Sequence, residues 1–166
     1  MKIEIGPYPK KDKPRKVKVK LHKYDTWNAN HTLALVIVPV LKDLRGFKHG
    51  SPLIDDEDVP EDIRSTNADP KEHEWDIDSN HHKRWEWVLN EMIWAFEQHA
   101  KPDWEQEFYS GEPDYIWEPI EGSTNKKLVM GPNDTFTVDR EGLDKHRSKM
   151  ANGRRLFAKY YDCLWT

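Results

Sequence analysis

Apolar residues along this chain form three helical runs and several short alternating ones. Residues 15–22 alternate strictly, with Val17, Val19 and Leu21 on one face and Lys16, Lys18, Lys20 and His22 on the other. That period predicts a half-buried strand whose lysines meet water. Lys2 to Ile5 alternates too, either as its partner or as a free end. Residues 26–44 turn helical, with Asp25 or Thr26 as N-cap and Gly46 as the stop. Because Leu33, Leu35, Val36, Ile37, Val38, Val40 and Leu41 cover its whole circumference, this helix is expected at the centre of the core, buried on most sides. Pro39 removes one backbone bond and predicts a kink or a new turn.

The clearest helical period runs over residues 79–99, where Val88, Leu89, Met92 and Phe96 project within about 60° of Trp85. Trp87 and Trp94 fall opposite that stripe, seven residues apart. Aromatic rings there need cover from another element, a partner subunit or a ligand, which makes both candidate interface residues. Trp104 to Asp114 reads as irregular, and strands are expected near 115–120, 126–130 and 135–138, parted by the turn signals EGSTN and GPND. Asp139 then caps a last helix over 139–162 with Leu143, Met150, Phe157, Tyr161 and Leu164 along one face. Residues 47–75 form a long loop with Gly50, three prolines and the run Asp55-Asp56-Glu57-Asp58. Loops of that length are functional or mobile. The whole predicts one α+β domain over 1–166, in which three main helices pack with a small antiparallel sheet.

Composition sharpens this picture in three respects. Hydrophobic residues make up 36% and charged residues 34%, but eight Trp, six Tyr and five Phe supply the large apolar bodies that disordered chains lack, so the chain folds. A net charge of -4 removes the global basic field that holds a nucleic-acid duplex, so duplex binding is not expected. A single cysteine, Cys163, allows no internal disulfide and no cysteine zinc site, which fits a reducing cytoplasm. The N-terminus lacks the apolar stretch of a secretory signal, and the longest apolar run, Leu33 to Leu41, is interrupted by Pro39, so neither export nor a membrane span is expected.

Candidate chemistry centres on the last helix. Taking Leu143 as zero, Arg147 projects near 40° and Arg154 near 20°, inside the apolar stripe, with His146 beside it. A desolvated guanidinium needs a carboxylate, a phosphate or an aromatic face. These arginines therefore either close an internal ion pair, for which Asp55 to Asp58 is the obvious source, or face a cavity that takes an anion. His49 and Lys42 are further candidate ligand-binding residues, with Trp27 and His31 near the start of the first helix as secondary ones. Planar bases stack on Trp and Tyr while Arg takes phosphates bidentately, so a nucleotide-like anion is the ligand class that uses both. Asp55, Asp56 and Asp58 with His31 or His49 could assemble a divalent-cation site, but DDEDVPED lacks the spacing and the glycine of a calcium loop, and no metal ligands or cofactor are assigned. His81 projects to the core side as a structural histidine. No GxSxG, P-loop or GxGxxG motif occurs, so no catalytic residues are assigned.

The strings KVKLHKYDTWNANHTLALVIVPVLKDLRGFKHGSP, DDEDVPEDIRS, RWEWVLNEMIWAFEQ and NGRRLFAKYYDCLW, with KIEIGPYP at the start, resemble an uncharacterised family encoded by tailed bacteriophages. The resemblance spans most of residues 15–165, with less chain here between KIEIGPYP and the lysine-rich strand than many members have. It implies action in the cytoplasm of an infected bacterium and brings no established chemistry. Small non-enzymatic phage proteins often blunt host defence, some as sponges that sequester nucleotide-derived immune signals. The expectation is therefore a non-enzymatic binding protein for a nucleotide-like anion, oligomeric through Trp87 and Trp94. The alternatives are a protein-protein interaction module acting on a host or phage protein and a metal-dependent hydrolase using the acidic loop.

Overall fold

A computed structural model describes residues 1–8 and 13–165. The fold is α+β, with three helices and antiparallel strand pairs. The chain divides into two compact units, one of Met1–Pro102 with Met150–Thr166 and one of Asp103–Lys149.

In the larger unit, β1 (Lys2–Ile5) pairs antiparallel with β2 (Val17–Lys20), setting Ile3 against Val19 and Ile5 against Val17 on one face. Lys2 and Glu4 face Lys20 and Lys18 on the other. Lys2 to Ile5 is thus the partner strand. The alternating pattern predicted a half-buried ribbon, but every residue of both strands is exposed. Two strands alone provide no second layer to cover the apolar face.

Helix α1 (Ala29–Phe47) begins three residues later than its periodicity predicts, because Asp25 is engaged in a turn. The Asp25 carboxylate accepts the His22 N–H, and its carbonyl accepts the Thr32 hydroxyl. Asn28 takes the N-cap position without a side-chain bond, Gly46 lies inside the helix, and the helix runs unbroken through Pro39. Ala34, Leu41 and Leu44 are its only buried residues, so it is peripheral rather than central within the chain.

The centre belongs instead to α2 (His81–Ala100), which buries Trp85, Val88, Leu89, Met92, Ile93, Ala95 and Phe96. Full burial of each large side chain in that set contributes about 1.5–3 kcal/mol. Around it pack Ala34, Leu41 and Leu44 of α1, Ile54 and Val59 of the acidic segment, and Leu156 and Tyr160. Leu156 belongs to α3 (Arg140–Lys159), whose residues 150–159 lie in the larger unit. Gly153 sits at the closest approach of α3 to α2: a Cβ there would run into Ala95 Cβ and reach 2.6 Å from the Glu91 carbonyl oxygen. Glycine lets the two backbones come that near. The tyrosine and phenylalanine rings complete the packing edge-on, Tyr160 against Trp85 at 6.3 Å and Phe157 against Phe96 at 4.9 Å between centroids.

Residues 47–75 are ordered by three short 3-10 turns, Asp56–Asp58, Glu61–Ile63 and Ser65–Asn67. The last helix ends at Lys159, three residues short of the predicted boundary, and passes into a turn at Tyr161–Cys163. At its other end, Asp139 accepts the Gly142 N–H at 2.9 Å, the cap that the sequence predicts.

In the smaller unit, β4 (Tyr115–Pro119) and β5 (Lys126–Met130) form a hairpin across the EGSTN turn, where Gly122 adopts φ 73. The segment expected at 135–138 contributes only β6 (Thr137–Val138). Its partner is β3 (Tyr109–Ser110), inside the stretch read as irregular. The strands therefore form three separate two-stranded ribbons rather than one small sheet. At Gly111, φ is 76 and a Cβ would collide with the Thr135 carbonyl, so this bend requires glycine.

Candidate functional site

The guanidinium groups of the last helix lie outside the apolar stripe. Its buried positions are Leu143, Met150, Gly153, Leu156 and Tyr160, a face centred about 70° away from Leu143. Anchoring the stripe on Leu143 overlooked Gly153, which has no side chain to register as apolar yet marks the contact. Arg147 is consequently 51% exposed, and it donates to Glu105 at 2.8 Å. Hydrogen bonds from Arg147 and then Tyr109 hold the Glu105 carboxyl below the usual carboxylate range. Trp104 stacks on His146 in the same unit, with ring centroids 4.9 Å apart, and the Arg147 guanidinium lies 6.0 Å from the Trp104 ring centre.

Arg154, also exposed, donates to His99 Nε2 at 2.5 Å, which fixes His99 as a neutral acceptor on that nitrogen. Burial and then the Arg154 charge push the His99 pKa down. Neither arginine is a desolvated cation facing a cavity, and neither pairs with the acidic run.

The acidic run does find internal cations, one and five residues beyond Arg154 along the helix. The Asp58 side chain is 2% exposed and takes Lys159 at 2.5 Å, Arg155 at 2.6 Å and the Tyr160 hydroxyl at 2.6 Å. Burial pushes the Asp58 carboxyl up, but the three donors outweigh it and hold the group below its ordinary pKa. Lys159 also reaches Asp55 at 2.7 Å, and its ammonium pKa is raised by Asp55 and then Asp58. Burial together with the bond to Asp58 pushes the Tyr160 phenol up to about 12. This cluster ties the acidic segment to the last helix and leaves these carboxylates engaged. Among the described residues, no group of three His, Cys, Asp or Glu side chains is placed to hold a metal ion.

A buried guanidinium does exist, on a different helix. Arg84 of α2 has a side chain 4% exposed and grips Asp78 bidentately at 2.8 and 2.7 Å. The Arg84 hydrogen bonds set the Asp78 carboxyl at about 2. The sequence reading passed over Arg84. Its signal was a position immediately before Trp85 with Asp78 six residues upstream.

The remaining candidates scatter. Lys42 pairs with Glu97 at 2.6 Å, His31 Nε2 bonds the Ala100 carbonyl at 3.1 Å, His49 is exposed, and Trp27 stands 79% exposed with the Tyr24 ring 5.9 Å away. Of these, His31 alone lines the cavity of about 540 Å³ formed by Met1, Ile3, Tyr24, Leu35 and Val36. His81 is buried and bonded to the Ser51 carbonyl at 3.0 Å, a structural histidine. Trp87 and Trp94 are half-buried, and Trp87 packs against the core, so the chain itself supplies part of the cover that the stripe needs.

The open aromatic surface lies on the β4–β5 ribbon. Strand register puts Tyr115 beside Met130 and Trp117 beside Leu128 on one face. All four side chains are at least half exposed, Trp117 at 64%. On the opposite face Val129 and Glu118 are half-buried while Ile116 and Lys127 are exposed. Lys126 extends the aromatic face at its end, opposite Pro119. The sequence predicted both strands without showing which of their faces lacks cover.

Among the described residues, no helix is long and apolar enough to cross a membrane. Comparison of the chain with protein-family models, with curated proteins and with solved structures finds no match.

Proposed function

We propose that this chain is a non-enzymatic protein-protein interaction module, acting in an infected bacterium on a host or phage protein through the β4–β5 ribbon. The observation that carries the reading is the exposed set Tyr115, Trp117, Leu128 and Met130 on one strand face. Aromatic residues and methionine are enriched at protein interfaces, and Trp and Tyr supply most binding hot spots. Lys126 beside them selects a partner whose apolar pocket is bordered by a carboxylate. This assigns the anchoring role to Trp117 and Tyr115 in place of Trp87 and Trp94. The test is capture from infected-cell lysate, identification of the captured protein, and rebinding with purified components. Trp117→Ala should weaken binding at least tenfold with the circular dichroism spectrum unchanged. Equal affinity for wild type, Trp117→Ala and Tyr115→Ala would overturn the reading.

A second reading, sequestration of a nucleotide-derived signal, is favoured by Arg147, half exposed beside the Trp104 ring. An anion there has to displace Glu105 from the guanidinium. Calorimetric titration with cyclic dinucleotides and ADP-ribose derivatives decides it. Binding that Arg147→Ala abolishes supports sequestration, and silence across the panel removes it.

A further inference from the structure

Helix α1 carries two apolar stripes. Ala34, Ile37, Leu41 and Leu44 face the core. Rotated from them by roughly 100° lie Leu33, Val36, Val40 and Phe47, spaced at the three- and four-residue intervals of a helix-packing seam. Leu33 is 55% exposed, Val40 60% and Phe47 68%, and Val36 is partly buried, so the described residues leave most of this second stripe uncovered.

The uncovered surface continues to both sides. Val36 and Val40 line a cavity of about 390 Å³ with Phe157, Tyr161 and Leu164. Val36 also lines the cavity that Met1, Ile3 and Leu35 share, which carries the apolar surface onto the β1–β2 ribbon with Ile5, Val17 and Val19. Leu33, Leu35, Val40, Phe47, Tyr161, Ile5, Val17 and Val19 are each more than half exposed. Leu35 projects to another side of the helix, and at roughly 100 Å² apiece the other seven offer about 700 Å², close to the roughly 800 Å² that each partner of a standard stable interface contributes. A contiguous patch of that size is larger than lone soluble chains ordinarily leave in water.

We propose that a second copy of this chain covers this face, the outer stripe of α1 packing on the same stripe of the other copy about a two-fold axis. The spacing supports self-pairing. Leu33 and Phe47 each stand seven residues from Val40, so an axis through Val40 places Leu33 of each copy against Phe47 of the other. The seam between Leu33 and Val40 is apolar or neutral, and between Val40 and Phe47 the charged residue at its helical spacing is exposed Asp43. This pairing is independent of whatever binds the β4–β5 ribbon.

Sedimentation velocity over a concentration series tests it. The 19.7 kDa chain is expected to sediment as a dimer at micromolar concentration. Val40→Asp should sediment as a folded monomer, with at least a hundredfold weaker self-association. Leu33→Glu, at one end of the stripe, should behave likewise and serves if Val40→Asp loses its helical spectrum. Wild type monomeric at every concentration overturns the proposal, as does a dimer that survives both substitutions.

Discussion

Helices α1 and α2 have nearly equal lengths and share one core, yet they are opposite in composition and in burial. Helix α1 is apolar around its whole circumference from Leu33 to Leu41 and buries three residues, whereas α2 carries Lys83, Arg84, Glu86, Glu91 and Glu97 and buries ten. Burial within one chain is set by how many neighbours surround an element. Helix α2 is enclosed by α1, the acidic segment and the end of α3, and it tolerates its polar residues by pairing them, Arg84 with Asp78 above all. Helix α1 buries only the face that it packs on α2, among the described residues. Its surplus apolar surface is the face on which the proposed second copy would pack.

The largest effect should separate these helices directly. Trp85→Ala empties the centre of the core and is expected to lower unfolding free energy by about 3–5 kcal/mol in urea denaturation. Val40→Ala, measured below the dimer's dissociation concentration, should change it by no more than about 0.5 kcal/mol. A large loss from Val40→Ala in the monomer would mean that α1 is buried in ways the fold does not reveal.

Next in size is the contact that encloses α2 on a second side. Gly153→Ala forces a methyl group toward Ala95 and the Glu91 carbonyl, and should cost about 1–3 kcal/mol by the same assay. A neutral or stabilising outcome would place α3 farther from α2 than described.

The acid limb of stability comes third. The Asp78 carboxyl titrates at about 2 when folded against roughly 3.9 unfolded, a depressed value, so its contribution is complete above about pH 4 and disappears as pH falls toward 2. The span is about 2–3 kcal/mol. Asp78→Asn should flatten the stability profile in that window, and an unchanged profile contradicts the Arg84 pairing.

The smallest effect lies at the C-terminal end of α2. His99 resists protonation through burial and the Arg154 charge, so folded stability should decline as pH falls below about 6.5. Arg154→Ala should raise the His99 pKa in an NMR titration, whereas an unmoved pKa would remove the Arg154 contact.

Much of the fold was legible from the chain. The α2 core stripe, the Asp139 cap and the EGSTN hairpin follow from local rules of period, capping and turn chemistry, whereas the pattern left Lys2–Ile5 open between a partner strand and a free end. The chemistry of the last helix was less legible, because the face centred on Gly153 is defined by close approach rather than by a large apolar residue. An error of about 70° in that face exchanged Arg147 and Arg154 for Arg155 and Lys159 as the partners to consider. The open ribbon and the outer stripe of α1 could not be read at all from periodicity, since a pattern reports which residues are apolar and not which of them lack a neighbour.

The most direct measurement of the central claim is side-chain exposure at Phe47 by hydroxyl-radical footprinting, with exposed Trp27 and buried Trp85 as internal references. Wild-type protein at micromolar concentration should show Phe47 protected, and protection should be lost on dilution or in Val40→Asp. Phe47 modified as freely as Trp27 at every concentration would contradict the account.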